Sequence, residues 1–567
     1  MSGSAKPSGV EDTKARSRHL RGEIAADLAG PSAHVSDDTY NLLKFHGTYE
    51  QFDRDTATER KQRGEDKDWQ FMVRVRAPGG RLTADQYLAL DALADQVGDH
   101  TLRLTTRQGV QFHGIVKTDL KSTIAEINHA LMTTMSACGD VVRNVVTTPA
   151  PRRDAVHARL EADARMLSNA LLPRSRAYHQ IFLNEGETGA DETEELYGST
   201  YLPRKFKIGI AHPGDNSIDV LANDLGFVAV FEGDTLRGYN VAVGGGMGMT
   251  HGKTTTFPRF GSVIGSVAPD GLLEAARAVI ALQRDNGNRS DRKRARLKYV
   301  VHDKGEDWVR DTLAAEYGLT LAPALNHPPF SIPELLGWHD QGDGRAWLGL
   351  PIAAGRIADR ERFTLRTGLR EVISRWRPSL VATPQQDLLI ADLDPADRTE
   401  IEAVLRAHGF RLAEDLTPLD RFAIACVALP TCGQSLAEGE RVRAPMVAAV
   451  ENALRRHGLE QERISFRLSG CANGCARPYG GDIGVVGRLA GHYSLFVGGD
   501  FTGTRLSFKL RDRVPEAQVA ATLEPLFAAW AQGRRPGEGF GDWATRLGHD
   551  ALDAVLAAAP VEAIHAA

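Results

Sequence analysis

Cysteine is scarce in this sequence, and long apolar runs are missing. Only five cysteines occur in 567 residues, and no apolar stretch reaches the roughly 18 residues that a membrane-spanning helix needs. The N-terminal stretch MSGSAKPSGVEDTKARSRHLRGE lacks the apolar segment of a secretory signal. These absences predict a cytoplasmic protein with no membrane partner, in a compartment where thiols stay reduced and disulfides are disfavoured.

The sequence also lacks a large excess of charge and a nucleotide-binding fingerprint. A net charge of −5 predicts no nucleic-acid partner. The glycine-rich stretch 244–248 departs from the G-x-G-x-x-G pattern, so it favours either a close approach of the backbone to a ligand or a plain tight turn. At this length the chain is expected to form three or four domains.

Four of the five cysteines lie in one region. Cys426 and Cys432 form a C-x5-C pair, and Cys471 and Cys475 form a C-x3-C pair about forty residues later. Zinc sites favour tighter spacings around one small ion, whereas loops of this kind, rich in nearby glycine, suit an iron–sulfur cube. An iron–sulfur cluster, a zinc ion and unliganded core cysteines all stay open from spacing alone.

The sequence contains an internal repeat. Residues 70–117 and 346–393 both show a strand, a turn, a helix and a strand, with Gly80-Arg81-Leu82 matching Gly355-Arg356-Ile357. Later segments continue the correspondence, so we expect two halves related by a pseudo-two-fold axis.

Basic residues are concentrated in the half that lacks the four clustered cysteines. They are Arg74, Arg103, Arg107, Arg143, Lys205 and Lys207. Repeated arginines are usually a solvated surface. If the halves fold together, however, these cations would face the thiols in a pocket suited to an oxyanion. A cluster beside such a pocket indicates reductive chemistry, with electrons supplied by a partner because the chain has no nucleotide fingerprint.

Six motifs together resemble the siroheme-containing nitrite and sulfite reductase family. They are CVALPTC, GCANGC, RLTTRQGVQFHG, GDVVRNV, TYLPRKFK and VGGGMG. The resemblance extends from about residue 20 to about residue 540, and the cysteine spacing in this context is highly specific.

The resemblance implies an α+β fold of three domains with the internal repeat. It divides the chain into an N-terminal partner-binding arm (1–66), paired ferredoxin-like half-domains (67–138 with 342–415), a siroheme- and substrate-binding domain (139–341) and a 4Fe-4S and siroheme domain (416–567).

The resemblance also implies roles for individual residues. The ligands of the 4Fe-4S cluster would be Cys426, Cys432, Cys471 and Cys475, and Cys475 would also bind the siroheme iron. Sulfite would be held by Arg74, Arg143, Lys205 and Lys207. The carboxylates of siroheme would be held by Arg103, Arg107, Gln111, His113, Asn473 and Arg296. At the last of these positions the family usually has lysine.

The implied reaction is the six-electron reduction of sulfite to sulfide in sulfur assimilation. The N-terminal stretches KARSRHLRGEIAADL and KFHGTYEQFDRD resemble the arm that meets an NADPH-dependent flavoprotein, which is the expected donor. Alternatives are a ferredoxin-dependent sulfite or nitrite reductase and, from another class, a zinc-stabilised anion-binding module.

Some members of the family join a tyrosine to a cysteine beside the siroheme. Phe71 precedes Met72, and no cysteine follows Arg143 in the stretch 145–147, so no such bond is expected here. Cys138 matches no ligand position, and we expect a buried free thiol.

Overall fold

A computed structural model describes residues 6–186 and 192–558 of the chain. In chain order its strands are β1 (Thr48–Phe52), β2 (Trp69–Val75), β3 (Arg81–Leu82), β4 (Leu102–Leu104), β5 (Val110–Ile115), β6 (Val146–Thr147), β7 (Ile208–Ala211), β8 (Leu225–Glu232), β9 (Thr235–Val243), β10 (Ser262–Val267), β11 (Gly337–Asp340), β12 (Ala346–Leu350), β13 (Arg356–Ile357), β14 (Asp359–Arg360), β15 (Phe363–Thr364), β16 (Ser379–Ala382), β17 (Leu388–Leu393), β18 (Ala423–Ala425), β19 (Phe466–Ser469), β20 (Ile483–Leu489), β21 (His492–Val497) and β22 (Phe508–Pro515).

The α-helices cover the sheets. They are α1 (Gly9–Ala15), α2 (Ile24–Ala29), α3 (Asp37–Leu43), α4 (Ala57–Gln62), α5 (Ala84–Ala94), α6 (Lys117–His129), α7 (Ala155–Ala170), α8 (Ala177–Leu183), α9 (Leu272–Asn286), α10 (Leu297–Lys304), α11 (Glu306–Tyr317), α12 (Leu365–Trp376), α13 (Arg398–Ala407), α14 (Pro418–Arg421), α15 (Glu440–Arg455), α16 (Val519–Gly533), α17 (Phe540–Leu547) and α18 (His549–Ala558). None of these described helices is both long and apolar enough to cross a membrane.

Two five-stranded sheets contain the two copies of the repeat. Their strand orders are β1-β2-β5-β4-β13 and β11-β12-β17-β16-β3. The copies exchange short strands: β3 pairs with β16 of the second copy, and β13 pairs with β4 of the first. The predicted α+β fold with its repeat is confirmed, whereas the exchange, which ties the copies into one unit, was not predicted.

Two further sheets share a second topology. One has the order β10-β9-β8-β7-β6 and the other the order β18-β19-β20-β21-β22. In each sheet two parallel pairs, β6–β7–β8 or β18–β19–β20, are followed by two antiparallel pairs. The pseudo-two-fold relation therefore extends through the whole molecule.

A pair of buried glutamines shows how closely the halves correspond. Gln108 Nε2 donates to Gly79 O at 3.0 Å, and its Oε1 accepts from Thr147 N at 2.9 Å. Gln386 makes the equivalent bonds, to Ala354 O at 3.0 Å and from Ala425 N at 3.1 Å. Each amide thus joins a half-domain turn to the first strand, β6 or β18, of the adjoining mixed sheet.

The described part of the N-terminal stretch, residues 6–66, packs against the body of the protein, although its polar composition favours an arm that is solvated or lies on a partner surface. Its apolar side chains Leu20, Ile24, Leu42, Leu43 and Phe45 are all buried. Strand β1 pairs with β2 and forms the edge of the first half-domain sheet, so that sheet begins before the boundary expected at residue 67. A few apolar anchors are enough to bury this segment because each fits the core fully.

Candidate functional site

The four clustered cysteines come together because two parallel strands end side by side. Cys426 follows β18 directly, and Cys471 follows β19 after one residue. The two strands are neighbours, and Cys426 N donates to Leu468 O at 3.0 Å. Gly470 N also donates to the Cys426 sulfur at 3.2 Å. Strand adjacency thus brings together thiols that lie some forty residues apart.

The thiols influence one another electrostatically without converging on a point. Burial, followed by the nearby Cys475 thiol, raises the pKa of Cys426 and Cys432 and raises the pKa of Cys471 to about 12. Among the described residues no group of three or more His, Cys, Asp or Glu side chains is close enough to hold one metal ion. Four cysteine thiolates are the ligand set of a 4Fe-4S cluster.

Cys475 differs from the other three cysteines because its side chain is exposed. Burial lowers the pKa of both Lys205 and Lys207, and the Cys475 charge opposes this shift at each, so the thiol is within electrostatic reach of both ammonium groups. The thiol loop and the basic segment therefore face each other across a space that solvent reaches.

The basic side of this space is built at the start of strands. Lys207 directly precedes β7, Lys205 stands two residues earlier on the same face, and Arg143 precedes β6, the parallel neighbour of β7. Burial and then Arg204 lower the pKa of Lys205 to about 7, and burial and then Lys205 lower the pKa of Lys207 well below its usual value. Neither ammonium group has an ion-pair partner within the part of the chain that the structure describes, so both are free to bind an anion.

Arg74 and Arg143 meet a tyrosine and a thiol that sequence reasoning did not select. Arg74 Nη1 lies 3.0 Å from the Cys138 sulfur, and its Nε has no partner. Arg143 Nε donates to Gly139 O at 2.8 Å, and Arg143 shares a side-chain hydrogen bond with Tyr49. Burial and then the Cys138 charge raise the pKa of Tyr49.

Tyr49 and Cys138 therefore belong to one cluster with the two arginines. The expectation that no tyrosine–cysteine bond forms considered Phe71 and the stretch 145–147, and not this pair. Cys138 itself is buried and free, as the sequence predicts. Tyr49 lies within KFHGTYEQFDRD, so that motif held the signal for it.

Asp224 is a second residue that the sequence reasoning missed. Its fully buried carboxylate accepts from Arg296 Nε at 3.0 Å and Nη2 at 2.7 Å, and from Lys207 N at 2.9 Å. The predicted cofactor-binding Arg296 is thus held against the strand that carries Lys207. Sequence spacing contains no sign of this pair, because 72 residues separate the partners.

The other predicted cofactor-binding residues line the half-domain side of the site. Arg103 donates to Gln111 Oε1 at 3.3 Å and to Ala425 O at 3.0 Å, next to Cys426. Arg107 donates to Asn223 Oδ1 at 2.7 Å while its Nε is unpaired, and burial followed by Arg143 lowers its pKa to about 9. His113 is buried with an unpaired Nε2, and burial followed by Arg356 lowers its pKa well below its usual value.

The glycine-rich stretch 244–248 lies against the thiol loop. Met249 N donates to Ala472 O at 2.8 Å, and a Cβ on Gly248 would lie 3.3 Å from Asn473 O. A Cβ on Gly246 would lie 2.5 Å from Arg296 Nη1. These glycines therefore approach protein neighbours closely, while the approach of their backbone to a ligand stays a prediction. The predicted Asn473 lies where this stretch meets the cysteines.

Comparisons with known proteins agree with this geometry. The description "Nitrite/Sulfite reductase ferredoxin-like half domain" matches residues 62–130, and "Nitrite and sulphite reductase 4Fe-4S domain" matches residues 138–320. The first match contains Arg74, Arg103 and Arg107, and the second contains Arg143, Lys205 and Lys207. The four clustered cysteines lie beyond both matches, in the other copy of the same topology.

Several curated proteins are similar over nearly the full length. The chain is 45% identical to the sulfite reductase (NADPH) hemoprotein beta-component of Myxococcus xanthus, over 97% of this chain and 98% of that protein. It is 43% identical to the sulfite reductase (ferredoxin) of Synechococcus elongatus, over 97% and 92%. The solved structure of Mycobacterium tuberculosis NirA protein has the same fold, with a TM-score of 0.79 at 23% identity over 96% and 98% of the two chains.

Proposed function

Because this chain belongs to the nitrite and sulfite reductase family, we propose that it is an assimilatory sulfite reductase hemoprotein. It reduces sulfite to sulfide with six electrons: HSO3⁻ + 6 e⁻ + 6 H⁺ gives HS⁻ + 3 H2O. The observation that carries the proposal is the exposed thiol of Cys475 opposite the unpaired Lys205 and Lys207. Electrons enter from one side of the site, and the anion and protons enter from the other.

The residues present fit both cofactors of the family. The thiols Cys426, Cys432, Cys471 and Cys475 would hold a 4Fe-4S cluster, with Cys475 shared with the siroheme iron. The carboxylates of siroheme would pair with Arg103, Arg107, Gln111, His113, Arg296 and Asn473. The buried Nε of Arg107 and Nε2 of His113 have no partner, and such acceptors would satisfy them. The buried Nε of Arg74 also has no partner and would serve the anion that this arginine is predicted to hold. Siroheme coupled to the cluster supplies electrons and a Lewis-acidic iron to the anion.

The chain's own cations bind and orient sulfite. Lys205 and Lys207 lie on one face of an extended segment, and Arg143 lies in the adjacent segment, where its N donates to Phe206 O at 2.9 Å. The three cations therefore come from neighbouring stretches of backbone. Each ammonium or guanidinium group would donate a charge-assisted hydrogen bond to the oxyanion, which is stronger than a bond between neutral groups. Lys205 has a lowered pKa because it is buried, and this makes it a suitable proton donor near neutral pH.

We infer that an NADPH-dependent flavoprotein donates the electrons, with ferredoxin as the alternative. The edge of the thiol loop at Gly433 and Gln434 is exposed, and the N-terminal stretch covers its flank. There Arg54 N donates to Pro430 O at 3.2 Å, and Arg54 Nη1 donates to Cys432 O at 3.4 Å and Ser435 O at 3.3 Å. Arg54 therefore lies beside the exposed edge of the thiol loop, where we place the docked donor.

Two assays with the same protein test the choice of donor. Sulfite reduction is measured first with the flavoprotein and NADPH and then with reduced ferredoxin, and Arg54→Ala is compared with the parent in both. We expect the flavoprotein to support the faster rate and Arg54→Ala to slow it. A higher rate with ferredoxin would reverse the assignment.

A cytoplasmic location follows from the same chemistry, because four thiolates must remain reduced to hold a cluster. Nitrite is the alternative substrate, since the cations of the pocket suit either anion. Two lysines favour sulfite, because part of it is a dianion near neutral pH.

The purified protein gives the direct test of the function. Siroheme absorption, about five irons per chain and acid-labile sulfide on one sample would agree with a cube and one haem iron. Sulfite should be reduced by reduced methyl viologen with a higher kcat/KM than nitrite. A colourless protein carrying zinc, after expression with siroheme available, would overturn the proposal in favour of an anion-binding module.

A further inference from the structure

Lys44 lies beside the basic pocket although it was not among the predicted site residues. It follows α3 in the N-terminal segment. Its Nζ lies 2.9 Å from Asn41 Oδ1, 3.5 Å from the centre of the Tyr40 ring and 6.0 Å from the centre of the Tyr49 ring. Tyr49 in turn is bonded to Arg143. Among the described residues, the ammonium group has an amide and an aromatic face as partners and no carboxylate in ion-pair contact.

Arg204, the residue before Lys205, lies on the same side of the pocket. Its Nη1 is 3.9 Å from Asp140 Oδ1, at the limit of an ion pair, and 37% of its side chain is exposed. The same carboxylate already accepts Arg292 at 2.8 Å and lies 3.7 Å from Lys14. Arg204 therefore shares a carboxylate that two other cations occupy more closely.

This region holds more positive than negative charge. Lys14, Arg204, Arg289 and Arg292 share two buried carboxylates, Glu11 and Asp140. Lys44 adds a fifth cation that makes an ion pair with neither of them. A buried or half-buried cation without a counterion is unfavourable, so such a group gains from an incoming anion.

The lowered pKa of Lys44 agrees with a site that lacks a negative charge. Burial lowers its pKa to about 7; Asp140 opposes this shift, while Arg292 and Arg204 add to it. The Cys138 charge also reaches Lys44, and Cys138 is the thiol 3.0 Å from Arg74 Nη1. Lys44 and Arg204 both keep contact with solvent, so they lie between solvent and the inner cations.

We propose that Lys44 and Arg204 form an outer anion site that captures a small oxyanion before it reaches Arg143, Lys205 and Lys207. The proposal rests on the sulfite-reducing function for the identity of the anion. The N-terminal segment then has a part in substrate binding as well as the expected part in partner binding. A rim charge of this kind acts mainly on the rate of association and on its salt dependence.

Kinetics with reduced methyl viologen test the outer site without involving a protein donor. In Lys44→Met we expect KM for sulfite to rise by about five- to tenfold, with a much smaller change in kcat and a weaker decline of kcat/KM with salt. Lys44→Arg should restore a low KM because it keeps the charge. Lys304→Met is the matched control, because Lys304 is an exposed lysine 5.4 Å from the centre of the Trp308 ring.

An unchanged KM in Lys44→Met would overturn the proposal, and so would equal damage in Lys44→Arg, which would indicate packing and not charge. A second readout does not require turnover: the rise in the thermal unfolding midpoint that sulfite produces should be smaller in Lys44→Met than in the parent and in Lys304→Met. If the protein reduces no sulfite at all, the main function fails, yet this difference in anion-induced stabilisation still decides the outer site.

Discussion

The N-terminal and C-terminal halves build the same two sheets in the same strand order, yet they present opposite chemistry to the space between them. In the C-terminal half, cysteines follow the parallel strands β18 and β19. In the N-terminal half, Arg143 and Lys207 precede the parallel strands β6 and β7. The amino edge of one sheet thus supplies cations, and the carboxyl edge of its counterpart supplies thiols.

This difference shows which parts of a duplicated scaffold are free to diverge. The buried glutamines Gln108 and Gln386 keep the same bonds in both halves, because a buried amide must be satisfied wherever the scaffold recurs. The loops at the strand ends are not held by a bond that must be the same in both halves. The residues that distinguish the two halves, cations in one and thiols in the other, therefore lie at the ends of strands whose arrangement is the same in both halves.

The largest expected effect comes from removing the exposed thiol. In Cys475→Ser we expect methyl viologen-dependent sulfite reduction to fall to background, because a serine hydroxyl does not replace a thiolate as an iron ligand. Iron and acid-labile sulfide are measured on the same sample. Cys138→Ser, the free thiol of the other half, should keep about five irons per chain. Normal turnover in Cys475→Ser would show that the shared ligand lies elsewhere.

The cationic half should affect the substrate and spare the cluster. In Lys205→Met we expect kcat/KM for sulfite to fall by about 10²- to 10³-fold, the usual cost of losing one donor to a developing charge. The visible spectrum and iron content should match the parent, in contrast to Cys475→Ser. Loss of siroheme from Lys205→Met would instead assign this lysine to the cofactor.

The pH dependence of KM should report the same lysine. The pKa of Lys205 lies at about 7 in the folded protein because it is buried. Above that pH the free enzyme loses the proton that an anion requires, so KM for sulfite should rise with pH, by at most about tenfold per unit. Sulfite ionises in the same pH range. The pH dependence of KM in Lys205→Met therefore shows how much of the change comes from the substrate. If KM depends on pH in the same way in the parent and in Lys205→Met, the pH dependence does not come from Lys205.

The sequence predicted the parts of this comparison that depend on local pattern. The strand alternation near 70–76 and the matching glycines revealed the paired half-domains, and cysteine spacing selected all four thiols. The exchange of β3 and β13 could not be predicted, because a strand of two residues is too short to show an alternation of apolar and polar residues. Asp224 and Tyr49 were missed for a different reason: their partners Arg296 and Arg143 are distant in sequence, and pairing across such distances leaves no trace in spacing.

The burial of residues 6–46 was missed because the segment is polar on average, and its average composition hides the few apolar residues that pack into the core. Leu42, Leu43 and Phe45 are fully or almost fully buried although polar residues surround them in sequence. Lys44 and Tyr40 lie in that segment. Because its packing was not predicted, neither residue was among the predicted site residues. Burial of sparse apolar residues depends on the shape of the receiving surface, which one sequence does not show.

The smallest effect tests whether the shared framework stabilises both halves equally. Gln108→Ala and Gln386→Ala each leave a buried backbone carbonyl and a buried backbone N–H without partners, which costs about 1–3 kcal/mol per site. We expect similar losses of denaturant stability in the two variants, since the bonds match within a few tenths of an ångström. A clearly larger loss at Gln386 would mean that the thiol-bearing half depends more on this amide. In that case iron content should fall along with stability, because Gln386 Oε1 accepts from Ala425 N, the residue just before Cys426.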